Sequence, residues 1–324
     1  MNSSAQFTAV LPSEPVGQHS VAGDSGMSYI PASDKAKVTA PSIQARKGGE
    51  PIVALTAYDY PSARLVDEAG VDLLLVGDSV ANVMLGYEST IPVTLDEMLL
   101  VSRAVRRAVS SALVVGDLPF GTYHESIEQA IRSSVRFVKE GGVEAVKLEG
   151  GRKRAETVRA IVDAEIPVLG HIGLTPQSVH RLGGYRVQGK TIDAARALID
   201  DALALEDAGA FAIVLEAVPA EIARLVTRRL AIPTIGIGAG PHCDGQIIVY
   251  TDLIGLSFGH TPKFVRQYAD VKSVIAGAIG RYASDVRSRA FPTDAESYAV
   301  AEGVSDRLLE MDGEALPDAG ERTA

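Results

Sequence analysis

Seven polar residues fall where short apolar runs end. Asp78 and Ser79 close "DLLLVGDS", Asp117 closes "ALVVGD", Lys147 and Glu149 lie in "EAVKLEGG", His171 in "PVLGHIG" and Glu216 at the end of "FAIVLE". Asp78, Asp117 and Glu149 form an oxygen-only donor set, with no paired histidine or cysteine beside it. Hard oxygen donors of that kind suit Mg²⁺, or Mn²⁺ in its place, better than a structural zinc. Lys147 adds a cation two residues from Glu149, on the same face of an extended chain. Glu216 has no charged neighbour in sequence, and an unpaired carboxylate at the end of an apolar run is costly unless it is used. A metal and a lysine to hold developing negative charge, with a carboxylate to take a proton, are the parts needed to deprotonate a carbon next to a ketone.

Such a set works only if the runs that carry it converge. Eight β-type runs alternate with segments of helical periodicity: "PIVALTAY", "DLLLVGDS", "SALVVGDLPF", "EAVKLEGG", "PVLGHIG", "FAIVLEAV", "PTIGIGAG" and "IIVYTDLIGL". Eight βα units is the count of a TIM barrel, and a doubly wound open sheet would show the same alternation. The barrel is favoured by where the polar residues fall, because in that fold the chemistry gathers at the C-terminal ends of the strands. The charges are expected at a barrel mouth, close to water. Capping of the following helix is the competing reading for the acidic and hydroxyl residues, and a satisfied core histidine is the competing reading for His171. Capping is weakest for Asp78 and Asp117, which precede the glycine- and proline-marked stretches "SVANVMLGYESTIPVT" and "LPFGTYHE", and stays open for Glu149, which precedes "GGRKRAE". "GIGAG" at 236–240 lacks dinucleotide-fingerprint spacing and reads as the tight turn after strand seven.

Composition limits the alternatives. The chain has 324 residues, 46% of them hydrophobic, and a formal net charge of -10, which leaves no basic footprint for nucleic acid. No apolar run is long enough to span a bilayer, and the one cysteine, Cys243, excludes an internal disulfide. A cytoplasmic enzyme is the expectation. Residues 1–36 are rich in Ser, Gly, Pro and Ala without periodicity and read as a flexible extension. Residues 37–298 read as the catalytic barrel with C-terminal helices, including a helical candidate from Ala295 to Met311 that runs past the boundary, and 299–324 as a mostly loose acidic tail.

The stretches "LTAYDYPSARLVDEAGVDLLLVGDS", "GYESTIPVTLDEM", "DLPFGTY", "VKLEGG", "GHIGLTPQSVHRLGGYRVQGK", "VLEAVP", "IPTIGIGAGPHCDGQIIVYTDLIGL" and "PKFVRQYA" resemble the ketopantoate hydroxymethyltransferase family, in order, from about Lys37 to Tyr298. The resemblance implies a single (β/α)8 barrel of the phosphoenolpyruvate-binding type. It implies transfer of a hydroxymethyl group from methylenetetrahydrofolate to 3-methyl-2-oxobutanoate, giving ketopantoate for pantothenate and coenzyme A synthesis through a metal-stabilised enolate. One Mg²⁺ per subunit would be held by Asp78, Asp117 and Glu149, and the keto acid by Asp78, Ser79, Asp117 and Lys147. Glu216 would be the proton acceptor and His171 a supporting group. A cytosolic homodecamer is implied as well. Two rivals are a carbon-carbon or phosphorus-carbon enzyme of the same barrel group, with another electrophile, and a barrel that binds a ligand without turnover.

Overall fold

The structure, a computed structural model, describes residues 36–259 and 261–312. The expected flexible extension, but for Ala36, and the end of the acidic tail lie outside them. Eight parallel strands close in chain order into one barrel: β1 Ile52–Thr56, β2 Leu73–Val76, β3 Leu113–Asp117, β4 Ala145–Glu149, β5 Val168–Gly173, β6 Ala212–Glu216, β7 Thr234–Ile237 and β8 Gly245–Ile248. Their continuous aliphatic character follows from burial on both faces, which a helix-wrapped parallel sheet imposes.

Alternation along each strand sorts the core into two layers. Leu73 and Leu75, Leu113 and Val115, Ala145, Leu169, Ala212 and Val214 pack inside the barrel. Leu74, Val76, Val114, Val146, Leu148, Ile213 and Leu215 face the surrounding helices. These are, in chain order, α1 Ala40–Gln44, α2 Tyr60–Glu68, α3 Val80–Val83, α4 Leu95–Ala108, α5 Ile127–Arg136, α6 Ala155–Asp163, α7 Val179–Leu182, α8 Ile192–Asp207, α9 Ala220–Arg229, α10 Tyr250–Leu253, α11 Val271–Arg287 and α12 Val304–Asp312. Side-chain caps start several of them: Asp59 for α2, Thr94 with Glu97 for α4, Ser126 for α5 and Thr191 for α8. α1 closes the N-terminal end of the barrel by placing Ala40 and Ile43 in the inner core.

Three details depart from the sequence reading. The last strand is "GQII", and the stretch taken as strand turns at Val249 into α10, whose first amide, Tyr250 N–H, donates to Thr56 Oγ1 at 2.9 Å. A four-residue helix, α3, directly follows Asp78 and Ser79 where a loop was expected, but no side chain caps it. Of the helical candidate from Ala295 to Met311, only the C-terminal half is α-helix, as α12. α11 has no buried residue, and Val274, Ile275, Ile279, Tyr282 and Val286 lie exposed along it.

Candidate active site

Strand parity decides what faces inward. Asp117 continues the inner series Leu113 and Val115, Lys147 and Glu149 continue from Ala145, His171 follows Leu169, and Glu216 follows Ala212 and Val214. Register then sets the neighbours: Asp117 lies opposite Lys147, Glu149 opposite His171, and Gly173 opposite Glu216. On β2 the inward position falls on Gly77, where an added Cβ would come within 2.8 Å of Ser79 Oγ. Asp78 therefore enters from just beyond the strand end.

The six residues so gathered are not at a wet mouth. Asp78, Asp117, Lys147, Glu149 and His171 are buried, and the Glu216 side chain is 17% exposed. The expectation that these charges sit close to water is corrected: they are buried on the inner face of a closed barrel, so they compensate one another. Lys147 Nζ donates to both Asp117 oxygens, at 2.8 and 2.7 Å. Burial works against the ammonium, but Asp117, then Glu149 and Asp78, outweigh it and hold the amine above its ordinary range. Asp78 is the opposite case. Burial, then the charge of Asp117, push its carboxyl well above the usual carboxylate range, and Lys147 does not offset them.

Glu216 is not unpaired, as its sequence neighbourhood suggested. His171 Nε2 lies 3.1 Å from Glu216 Oε2, and His171 Nδ1 lies 3.4 Å from Glu149 Oε1. Neither ring nitrogen meets its carboxylate in hydrogen-bond geometry, so these are close charge contacts. Burial and Lys147 disfavour the imidazolium, and the two glutamates overcome both, so the ring is pushed up to about 9. Ser79 is half-buried beside Asp78, and its Oγ lies 2.8 Å from the Tyr58 hydroxyl.

Gln177 was missed from the sequence. It is buried in the turn after β5, where its amide nitrogen donates to Asp78 Oδ2 at 2.9 Å and Leu118 O at 3.0 Å, and its backbone N–H to Glu149 Oε2 at 3.0 Å. Tyr123, also buried, donates to Gln177 Oε1 at 2.6 Å. Both residues sit in quoted stretches, "DLPFGTY" and "GLTPQ", but neither type nor spacing marks them, because their role comes from contacts 54 and 99 residues away in sequence. Beside Tyr123, the His124 and Phe120 rings pack in turn at tilted angles, with centroids 4.1 and 4.7 Å apart, and the Arg154 guanidinium stands 5.4 Å from the Tyr123 centroid.

Among the described residues, no three His, Cys, Asp or Glu side chains converge closely enough to form a ready-made metal site. The donor chemistry nonetheless fits a hard divalent cation. Three buried carboxylates face one lysine, burial and the charge of Asp117 push the Asp78 carboxyl well above the usual carboxylate range, and Glu149 Oε1 is buried without a hydrogen-bond partner. A doubly charged ion held by Asp78, Asp117 and Glu149 would supply the missing charge.

The family follows from comparison with known proteins. The sequence model described as ketopantoate hydroxymethyltransferase matches residues 37–294. A 3-methyl-2-oxobutanoate hydroxymethyltransferase of Koribacter versatilis is 53% identical over 273 residues, covering 84% of this chain and 92% of its own. That of Gloeobacter violaceus is 59% identical over 244 residues, or 75% and 94% of the two chains. The chain belongs to the ketopantoate hydroxymethyltransferase family. As a member it is an enzyme, a hydroxymethyltransferase. Among solved structures it is similar to 2,3-dimethylmalate lyase, a member of the PEP mutase/isocitrate lyase superfamily, with a TM-score of 0.52 at 21% identity over 85% of this chain and 95% of that one. A phosphonopyruvate hydrolase gives a TM-score of 0.52 at 14% identity, with the same coverage. These likenesses show the shared barrel fold.

Proposed function

We propose that this enzyme transfers a hydroxymethyl group from methylenetetrahydrofolate to 3-methyl-2-oxobutanoate, forming ketopantoate and tetrahydrofolate, the step that commits carbon to pantothenate and coenzyme A. The observation that carries the reading is the facing arrangement at the top of the barrel interior. The buried Lys147–Asp117 pair and Asp78 lie on one side, and Glu216 with His171 on the other.

In this reading Asp78, Asp117 and Glu149 hold one Mg²⁺ or Mn²⁺, and the keto acid lies against Asp78, Ser79, Asp117 and Lys147. The ion, when bound, supplies positive charge at the ketone oxygen. Lys147 adds a second, and Asp117 holds its amine above the ordinary range against burial. Glu216 removes the C3 proton, and the electron pair moves toward the ketone oxygen. His171, whose Nε2 lies 3.1 Å from Glu216 Oε2 and whose ring is pushed up to about 9, places positive charge beside the acceptor. The C3 carbon then bonds to the one-carbon unit, water supplies the hydroxyl oxygen, and tetrahydrofolate leaves. The edge formed by Phe120, His124 and Arg154 is aromatic and cationic, which suits a flat carrier with an anionic tail.

The exposed apolar stripe of α11 supports a homo-oligomer, the homodecamer implied by the family resemblance, since a 17-residue helix without one buried side chain is unusual for a monomer. No helix among the described residues is long and apolar enough to cross a membrane. A cytoplasmic enzyme remains the reading of the sequence.

The test is direct. The purified protein is incubated with 3-methyl-2-oxobutanoate, methylenetetrahydrofolate and Mg²⁺, and ketopantoate is sought by mass. Product that forms without the folate, or none with all three present, rejects the assignment.

A further inference from the structure

An amide side chain has two ends that look alike in outline, and which end faces a carboxylate decides whether it holds that carboxylate or repels it. At Gln177 the surroundings leave no choice. The backbone N–H of Glu149 can only donate, and it donates to the Tyr123 hydroxyl oxygen at 3.3 Å. The single phenolic proton is then directed to Gln177 Oε1, 2.6 Å away. The other end of the amide meets two groups that can only accept in their ionised or carbonyl forms, Leu118 O and Asp78 Oδ2. The chain of bonds therefore runs one way, from a peptide N–H through a phenol and an amide to the carboxylate of Asp78. Gln177 makes a second such contact through its own backbone N–H, to Glu149 Oε2.

The consequence concerns the oxygens that are left over. Gln177 occupies Oδ2 of Asp78 and Oε2 of Glu149. Among the described residues, Asp78 Oδ1 and Glu149 Oε1 accept no hydrogen bond, and Glu149 Oε1 is buried in that condition. We infer that Tyr123 and Gln177 are positioning residues that select which oxygen of Asp78 and which of Glu149 is presented to a divalent cation and its chelating substrate. The inference deepens the proposed function and rests on its placing a metal at these carboxylates. The phenol is well suited to the task, because it cannot swing away: it is 1% exposed, with His124 packed against its ring and Arg154 standing over it. Outer contacts of this kind typically change metal affinity by about 10- to 100-fold when removed.

The experiment measures Mn²⁺ affinity of the full-length protein by electron paramagnetic resonance of the free ion, alongside thermal denaturation and activity. Tyr123→Phe removes one oxygen atom, and Gln177→Met removes the amide while keeping its length. Each is expected to weaken Mn²⁺ binding by about 10- to 100-fold, and turnover of Tyr123→Phe should recover as Mg²⁺ is raised. Since the two act in series, the double variant should bind no more weakly than Gln177→Met alone. A role confined to filling the core predicts lower melting temperatures with Mn²⁺ affinity unchanged, and that result overturns the inference, as do fully additive losses. If Gln177→Met does not fold, Tyr123→Phe carries the test by itself. Asp78→Asn separates the two levels: if it abolishes Mn²⁺ binding while Tyr123→Phe leaves it intact, only the positioning role fails, and if it leaves Mn²⁺ binding intact the metal reading fails with it.

Discussion

Replacing Glu216 by Gln tests proton abstraction apart from everything else in the site. The substitution keeps the length and the capacity to accept a hydrogen bond, but an amide cannot take up a proton at working pH. General base catalysis contributes about 10²- to 10⁴-fold, equivalent to about 2.7–5.4 kcal/mol of barrier at about 1.36 kcal/mol per decade. The other group that could accept the proton is His171, 3.1 Å away, and it is held near 9. Residual turnover of Glu216→Gln should therefore rise with pH up to the His171 value, which itself falls once one of its two attracting carboxylates is gone.

The assay is the loss of the C3 proton signal of 3-methyl-2-oxobutanoate by NMR in deuterated water, with metal and without folate. The native enzyme should exchange this proton and Glu216→Gln should not. A helix-capping role predicts preserved exchange with a loss of about 1 kcal/mol of stability, but α9 starts after Pro219 without any side-chain cap. Undiminished exchange in a folded Glu216→Gln protein would refute the assignment and leave His171 to be tested next.

Three further outcomes follow from the same geometry. Asp78→Asn and Asp117→Asn should both abolish metal-dependent turnover yet differ in stability. The first removes a carboxylate disfavoured by burial and by Asp117 and should leave the melting temperature equal or higher. The second strips a buried lysine of its partner and should cost about 3–5 kcal/mol, both read by thermal denaturation in the absence of metal; equal shifts would contradict the charge assignment. Gly173→Ala should destabilise the protein and cut turnover sharply, because the residue sits at φ +96° and an added Cβ would come 2.3 Å from the Glu216 carbonyl oxygen; a near-native crystal structure and rate would exclude this. Asp67, buried at the end of α2, accepts hydrogen bonds from Ser110, Ser111 and Ala112, which overcome burial and lower its pKa. Its stabilisation is present above the unfolded carboxylate value near 3.9 and fades as pH falls through the lower folded value. Asp67→Asn should thus melt lower at pH 7, by about 2–3 kcal/mol, and converge with the native protein in acid.

Much of this site was legible because a parallel barrel writes its interior into parity. In "LVVGD" and "AVKLE" the polar residues occupy every second place, in phase with the residues that turn inward, so Asp117, Lys147 and Glu149 could be placed on one surface from sequence. The pairing of Glu216 with His171 was not legible. It depends on the register of β5 against β6 across 45 residues, and sequence neighbours carry no trace of it. Nor was Gln177, which lies in an aperiodic turn. The eighth strand was misplaced for a different reason. Where the barrel closes, β8 must approach β1 so tightly that an added Cβ at Gly245 would lie 2.5 Å from the Ile52 carbonyl oxygen, so the seam falls on a glycine and a glutamine, while the more apolar run beyond it forms α10.

Burial of the site explains why the charges must be read together. Asp78, Asp117, Glu149 and Glu216 carry four negative charges when ionised, and Lys147 with protonated His171 supplies two positive ones, leaving an excess of two inside a closed barrel. That excess is least compensated at Asp78, where burial and the charge of Asp117 push the carboxyl well above the usual carboxylate range, since Lys147 is already committed to Asp117 through both oxygens. In the proposed reading a divalent ion would offset that excess and favour the ionised form of Asp78, so its binding should release protons. A substrate carboxylate and a developing enolate would restore the negative charge, which gives the ion and Lys147 their part in the chemistry. The same imbalance that makes this interior costly to fold without metal thus makes it receptive to an anionic transition state when the metal is bound.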